Sequence, residues 1–234
     1  MSLDDVRARI EAACARAGRD PADVRLVAVT KGHDAAEIRR RLVDRGVLDL
    51  GENRVQEWRE KAALLPAEVR WHFVGTLQRN KVKYLADAKV TLVHSLNSVR
   101  LADALDQQGG RRGHRFRALI EVDVAAEASK QGVPAREVPA LLDHCRGKQH
   151  VEVVGLMAMA PFADDAEASR PHFRRLAALA DELRLPERSM GMSRDFEVAI
   201  EEGATLLRVG SALFEDHEAG APTAAAGATG RGTT

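Results

Sequence analysis

Only two cysteines, Cys14 and Cys145, occur in 234 residues. They lie far apart, in segments that read as helices, and match no zinc or redox spacing. Two buried thiols in a reducing cytosol are the simple reading. No apolar stretch approaches the roughly 18 residues that a membrane span requires. The N-terminal segment is acidic early and too polar for a signal peptide. Charge of one sign is lacking as well: 35 basic residues balance 35 acidic ones. The whole molecule therefore has no attraction to nucleic acid or to an acidic membrane, and Arg39-Arg40-Arg41 and Arg111-Arg112 read as solvated surface. Neither GxGxxG nor GxxxxGK[ST] follows a strand, which weakens a dinucleotide or P-loop reading. A soluble cytoplasmic protein, with no nucleic-acid or membrane partner, is the expectation.

What the chain does have is a regular alternation. A preliminary helix capped by Ser2 carries Val6, Ile10, Ala13 and Ala17 on one face and stops at Gly18. Apolar runs then recur at residues 24–30, 47–50, 69–74, 90–94, 118–124, 151–156, 189–192 and 205–209. Each is followed by a helical pattern or helix-like segment, with Asp34, Asn97 and Ser193 as predicted N-caps. Continuous Val/Leu/Ile strands between amphipathic helices predict a parallel sheet covered on its outside. Eight such units predict a closed (β/α)8 TIM barrel with an extra N-terminal helix, spanning residues 1–216. Residues 217–234 are mostly Ala, Gly and Thr and read as a disordered tail.

Chemistry in a barrel sits at the C-terminal ends of its strands. Those positions here are Lys31, Glu52 and Asn53, His72 with Gly75, His94 and Ser95, Asp123, Met157, Gly191 to Ser193, and Arg208, Gly210 and Ser211. Lys31 stands out, because an amine at the end of a buried strand is expected to be desolvated and so partly neutral. Such an amine attacks carbonyls and forms Schiff bases. The loops after the seventh and eighth strands, Met190-Gly-Met-Ser193 and Arg208-Val-Gly-Ser211, offer hydroxyls and backbone N–H groups that suit a phosphate. Gly191 and Gly210 are expected to let the backbone approach it closely. A carbonyl-capturing lysine beside a phosphate cradle points to pyridoxal 5′-phosphate, which carries both groups. Arg208 would then donate to the pyridine nitrogen and keep it unprotonated, leaving the ring a weaker electron sink.

The motifs LVAVTK (26–31), LDLGENRVQE (48–57), FVGTLQRNK (73–81), VHS (93–95), SKQG (129–132), GLMAM (155–159), SMGMSRDFEVAI (189–200) and RVGSALF (208–214) occur together and in this order. In this combination the chain resembles the pyridoxal phosphate homeostasis protein family, single-domain relatives of the barrel of bacterial alanine racemase. The resemblance implies a barrel of the alanine racemase N-terminal-domain type, with the cofactor held as a Schiff base on Lys31. It implies Arg208 at the pyridine nitrogen, Ser193, Gly210 and Ser211 at the phosphate, and Asn53 and His72 close to the ring. It also implies a monomer, with pyridoxal-phosphate-dependent apo-enzymes as possible recipients. The implied role is to buffer and deliver the cofactor. The alternative is an amino-acid racemase, which needs a base on each face of the substrate carbon. Lys31 supplies one base at most. The single tyrosine, Tyr84, falls on a predicted outer helix, and no second domain supplies another. The carrier is therefore the expected reading.

Overall fold

The computed structural model describes residues 2–87, 90–125 and 132–214. Eight parallel strands close into a barrel: β1 (Arg25–Val29), β2 (Asp49–Glu52), β3 (Arg70–Phe73), β4 (Leu92–Leu96), β5 (Phe116–Asp123), β6 (Val151–Met157), β7 (Glu187–Ser189) and β8 (Leu206–Val209). β1 pairs with both β2 and β8, and β4 pairs with β5, so the ring has no free edge. Parallel neighbours need long crossovers, and helices supply them. These are α2 (Ala35–Arg41), α3 (Val55–Ala62), α4 (Val82–Asp87), α5 (Val99–Arg112), α6 (Val138–Arg146), α7 (Arg170–Glu182) and α8 (Phe196–Glu201), before a last short helix α9 (Ser211–Phe214). The two-residue bridge Val133–Pro134 pairs with the end of β5.

The preliminary helix, α1 (Leu3–Ala17), begins in a capping box in which Ser2 and Asp5 satisfy each other's backbone N–H. It ends where Gly18 turns left-handed at φ 64°. It packs on α8, with Arg9 bonded to Glu197 at 3.0 Å and lying over the Phe196 ring. Cys14 and Cys145 are buried free thiols on α1 and α6.

Two apolar layers result. The outer one lies between strands and helices and holds side chains such as Ile38, Leu105, Leu142, Phe173 and Ile200. The inner one is small, made of Val27, Leu92, Leu119, Val154, Met157 and Leu206. Branched and bulky apolar residues are usual inside such a barrel. The polar residues His72, His94, Ser189 and Arg208 share this interior and are also buried.

Some expected boundaries shift. The second strand is Asp49–Glu52 rather than 47–50, and the seventh is Glu187–Ser189 rather than 189–192. Such short strands are set by their neighbours: Asp49 pairs with Arg70, and Ser189 with Leu206. Ser98, not Asn97, caps α5 and accepts from the Leu101 N–H. Short 3₁₀ turns precede α4, α6 and α7. Among the described residues no helix is long and apolar enough to cross a membrane. The tail at 217–234 lies outside the described residues, as do Ser129 and Lys130 of the SKQG motif.

Candidate functional site

A cavity of about 710 Å³ opens at the C-terminal end of the barrel. Ligand sites typically span about 300–1,000 Å³. Lys31 reaches it from the end of β1, Asn53 from the end of β2, and Ser95 and Glu121 from β4 and β5. Arg208 enters from β8, and Ser193, Gly210 and Ser211 come from the loops that follow β7 and β8. Six of the seven anticipated site residues therefore line one space. His72 does not. It is buried beneath that space, bonded to Asp49 at 3.0 Å and to His94 at 2.9 Å, so its expected place beside a ring is not where the side chain sits.

Lys31 is exposed, contrary to the desolvation expected of a strand end. The chain turns at Gly32, whose φ of 81° is left-handed, and Gly32 donates its N–H to Glu57. The buried lysine nearby is Lys61. Its ammonium donates to Glu52 at 2.5 Å and to the Thr30 carbonyl at 2.8 Å, while the Thr30 hydroxyl also donates to Glu52. This pair pins the residue immediately before Lys31.

Ser193 does not cap α8. The residue before that helix is Asp195, whose carboxylate accepts from the Met192 N–H at 2.7 Å and from Ser169 at 3.1 Å. The Ser193 hydroxyl instead faces the other loop: Ser211 donates to it at 3.1 Å, and the Gly210 and Ala212 N–H groups reach it at 3.4 Å. Three weakly engaged donors thus converge on one point. Both glycines also sit where packing leaves no room for a side chain. A Cβ on Gly191 would lie 2.6 Å from Ala199, and one on Gly210 would lie 3.3 Å from Val29. Gly75 has the same role for Asn53, whose carbonyl would be 2.4 Å from an added Cβ.

Arg208 is only 5% exposed. Its guanidinium donates to Ser189 at 2.5 Å and to the Ala158 carbonyl at 2.9 Å. Burial pushes the guanidinium down to about 10, against the pull of Asp195 and Glu121, so it remains a cation at neutral pH. Burial pushes the Glu121 carboxyl up, opposed by Arg208. Three buried oxygens, Asn53 Oδ1, Ser95 Oγ and Glu121 Oε2, have no hydrogen-bond partner in the protein. Buried polar atoms are rarely left so, and all three belong to residues lining this cavity.

Sequence reasoning did not select Glu121, although its signal is plain: one acid inside the apolar run Ala118-Leu-Ile-Glu-Val. The loop Met159 to Ala163, which forms one wall, went unselected because nothing in it is polar.

The cavity, with a lysine at its mouth, a buried arginine at its floor and a hydroxyl-lined corner, is set in the barrel of an alanine racemase N-terminal domain. That family matches the chain over residues 1–218. The chain belongs within it to the pyridoxal phosphate homeostasis protein family. It is 46% identical over 214 residues to the Deinococcus radiodurans pyridoxal phosphate homeostasis protein, covering 92% of this chain and 100% of that one. It is 42% identical over 223 residues to the Aquifex aeolicus protein of the same name, covering 92% and 97%. Among solved structures, PipY of Synechococcus elongatus PCC7942 with PLP bound is 34% identical, with a TM-score of 0.77 and coverage of 88% of this chain and 100% of that one.

Proposed function

We propose that the cavity binds pyridoxal 5′-phosphate and that the protein buffers this cofactor and hands it to apo-enzymes, with no turnover of its own. The reading rests on the convergence of Lys31, Arg208 and the Ser193–Gly210–Ser211 corner on one cavity whose buried oxygens lack partners. The donor set fits the group. Three donors grouped around Ser193 suit a phosphate. A buried cationic arginine suits an unprotonated ring nitrogen, because it donates and cannot accept. Asn53, Ser95 and Glu121 offer the remaining polar partners. When bound, the cofactor supplies an aldehyde that bonds reversibly to a primary amine. Lys31 is the amine at the mouth, held in place through Thr30 and Lys61.

The carrier reading is favoured over a racemase by where the second base would have to be. Tyr84 is the only tyrosine. It sits in α4 with Arg59, Lys81 and Lys83 around its ring and is not among the residues lining the cavity. Arg208 would also withhold a proton from the ring, which weakens it as an electron sink.

The test is the visible spectrum of the purified protein, then borohydride reduction and peptide mapping. A yellow protein labelled at Lys31 is expected. Lys31→Ala should lose the covalent label and keep weak binding through the hydroxyl corner. A colourless protein that takes up no added pyridoxal phosphate overturns the assignment. Rapid solvent-deuterium exchange at the α-carbon of L-alanine, abolished by Lys31→Ala, would replace the carrier with the racemase.

A further inference from the structure

Beneath the cavity a chain of hydrogen bonds runs the length of the barrel interior. Arg208 Nη1 meets Ser189 Oγ at 2.5 Å, and Ser189 meets His94 Nδ1 at 2.9 Å. His94 Nε2 meets His72 Nδ1 at 2.9 Å, and His72 Nε2 meets Asp49 Oδ1 at 3.0 Å. Asp49 is the first residue of β2 and is gripped by both ends of the Arg70 guanidinium, at 2.8 and 2.5 Å, at the opposite rim. His72, His94, Ser189 and Arg208 are all at least 95% buried.

The ends of the chain fix its direction. Arginine can only donate and a carboxylate can only accept. Burial raises Asp49, but its bonds to Arg70 and His72 outweigh this and hold it ionised. His72 therefore donates through Nε2, and as a neutral ring it accepts at Nδ1. His94 must then donate through Nε2 and accept at Nδ1 from the Ser189 hydroxyl, whose oxygen accepts from Arg208. Four contacts use four protons, all directed away from the cavity. Burial lowers both imidazoles, His94 most strongly, and favours this neutral arrangement.

We propose that Ser189, His94 and His72 are positioning residues for Arg208: a one-way relay anchored at the Asp49–Arg70 pair that holds the guanidinium at the cavity floor. The relay deepens the reading of the cavity as a pyridoxal phosphate site and gives Arg208 its role there through groups that never touch the ligand. It also couples a half-exposed ion pair on the far face to that site.

Two measurements test it. Nitrogen-15 imidazole spectra of the full chain without cofactor should show both rings neutral and protonated at Nε2 at pH 7. A cationic His72, or an Nδ1-protonated His94, overturns the direction. The second measurement is pyridoxal phosphate affinity in two variants. In His94→Asn the amide oxygen takes the place of Nδ1 and still accepts from Ser189. In His94→Gln the amide nitrogen takes the place of Nε2 and that acceptor is lost. His94→Gln should bind about tenfold more weakly, one hydrogen bond's worth, and His94→Asn should recover most of it. Equal affinities in the two variants would reduce the chain to packing. If the wild type binds no pyridoxal phosphate at all, the cavity assignment fails, while the wild-type imidazole spectra still decide the relay.

Discussion

In the lower barrel Asp49, His72, His94 and Ser189 pair with one another, whereas just above them Asn53, Ser95 and Glu121 each bury an oxygen with no protein partner. Both zones lie inside the same ring of strands. An unpaired buried polar group costs about 1–3 kcal/mol. Three such groups around one cavity mean that the fold gives up stability there, which a ligand can restore. The paired zone below gives up little and supports the floor. Beside this cavity, hydrogen-bond satisfaction thus sets the paired residues of the floor apart from the cavity-lining Asn53, Ser95 and Glu121, a distinction that burial alone does not make.

The largest effect should come from breaking the paired zone. His94→Leu fills the space but leaves His72 Nδ1 without a donor and the Ser189 hydroxyl proton without an acceptor, while Arg208 still donates to the Ser189 oxygen. At about 1–3 kcal/mol for each orphaned group, the expected loss is about 2–6 kcal/mol. Urea unfolding of the cofactor-free protein at pH 7 measures it. A loss below about 1 kcal/mol would show that the lower zone carries no more structural weight than the upper.

Ser193→Ala acts on the other zone. It should leave urea stability without cofactor within about 0.5 kcal/mol of wild type. It should weaken pyridoxal phosphate binding roughly ten- to a hundred-fold, as expected for one hydrogen bond to a charged group. If pyridoxal without its phosphate binds the wild type as tightly as the phosphorylated form, the hydroxyl corner is not a phosphate site.

A smaller effect appears in the pH dependence. His72 and His94 have folded pKa values below the unfolded reference of about 6.5. Between those values the unfolded chain binds more protons than the folded one. Stability is therefore full above about pH 6.5 and falls as the pH drops toward the folded values. The slope is at most about 1.4 kcal/mol per pH unit for each ring. Urea melts at pH 7 and pH 5.5 should show this, and His94→Asn should flatten the slope by one ring's share. An unchanged slope in that variant would mean that His94 titrates in the fold as it does in the unfolded chain, and a steeper one that it is charged in the fold.

The two zones differ in how far they could be read from sequence. The rim was legible because apolar runs end in polar residues, so Lys31, Asn53, Ser193 and Arg208 could be placed without coordinates. The relay was not. Its links join residues 22, 23 and 95 positions apart, and only barrel closure brings them together. His72 was read as a strand-end residue close to the ring, but its position below the cavity rather than in it depends on strand register. Lys31 was placed correctly at a strand end and wrongly as buried, because the turn at Gly32 carries it to the mouth.

Glu121→Gln is the smallest expected change and the sharpest test of the upper zone. The side chain is 3% exposed, and its Oε2 has no protein partner. Burial disfavours its charge while Arg208 favours it, so the two influences oppose each other in the cofactor-free protein. The amide is nearly the same shape and removes both. The net change without cofactor should be within about 0.5 kcal/mol, or roughly 1–2 °C in melting temperature for a chain of this size. In the same variant, pyridoxal phosphate should raise the melting temperature less than it does in wild type, since stabilisation follows the logarithm of affinity. Thermal melts with and without the cofactor measure both quantities. A drop of more than about 4 °C without cofactor would place Glu121 with the structural residues of the lower barrel, and the contrast between paired and unpaired zones would no longer divide structure from site.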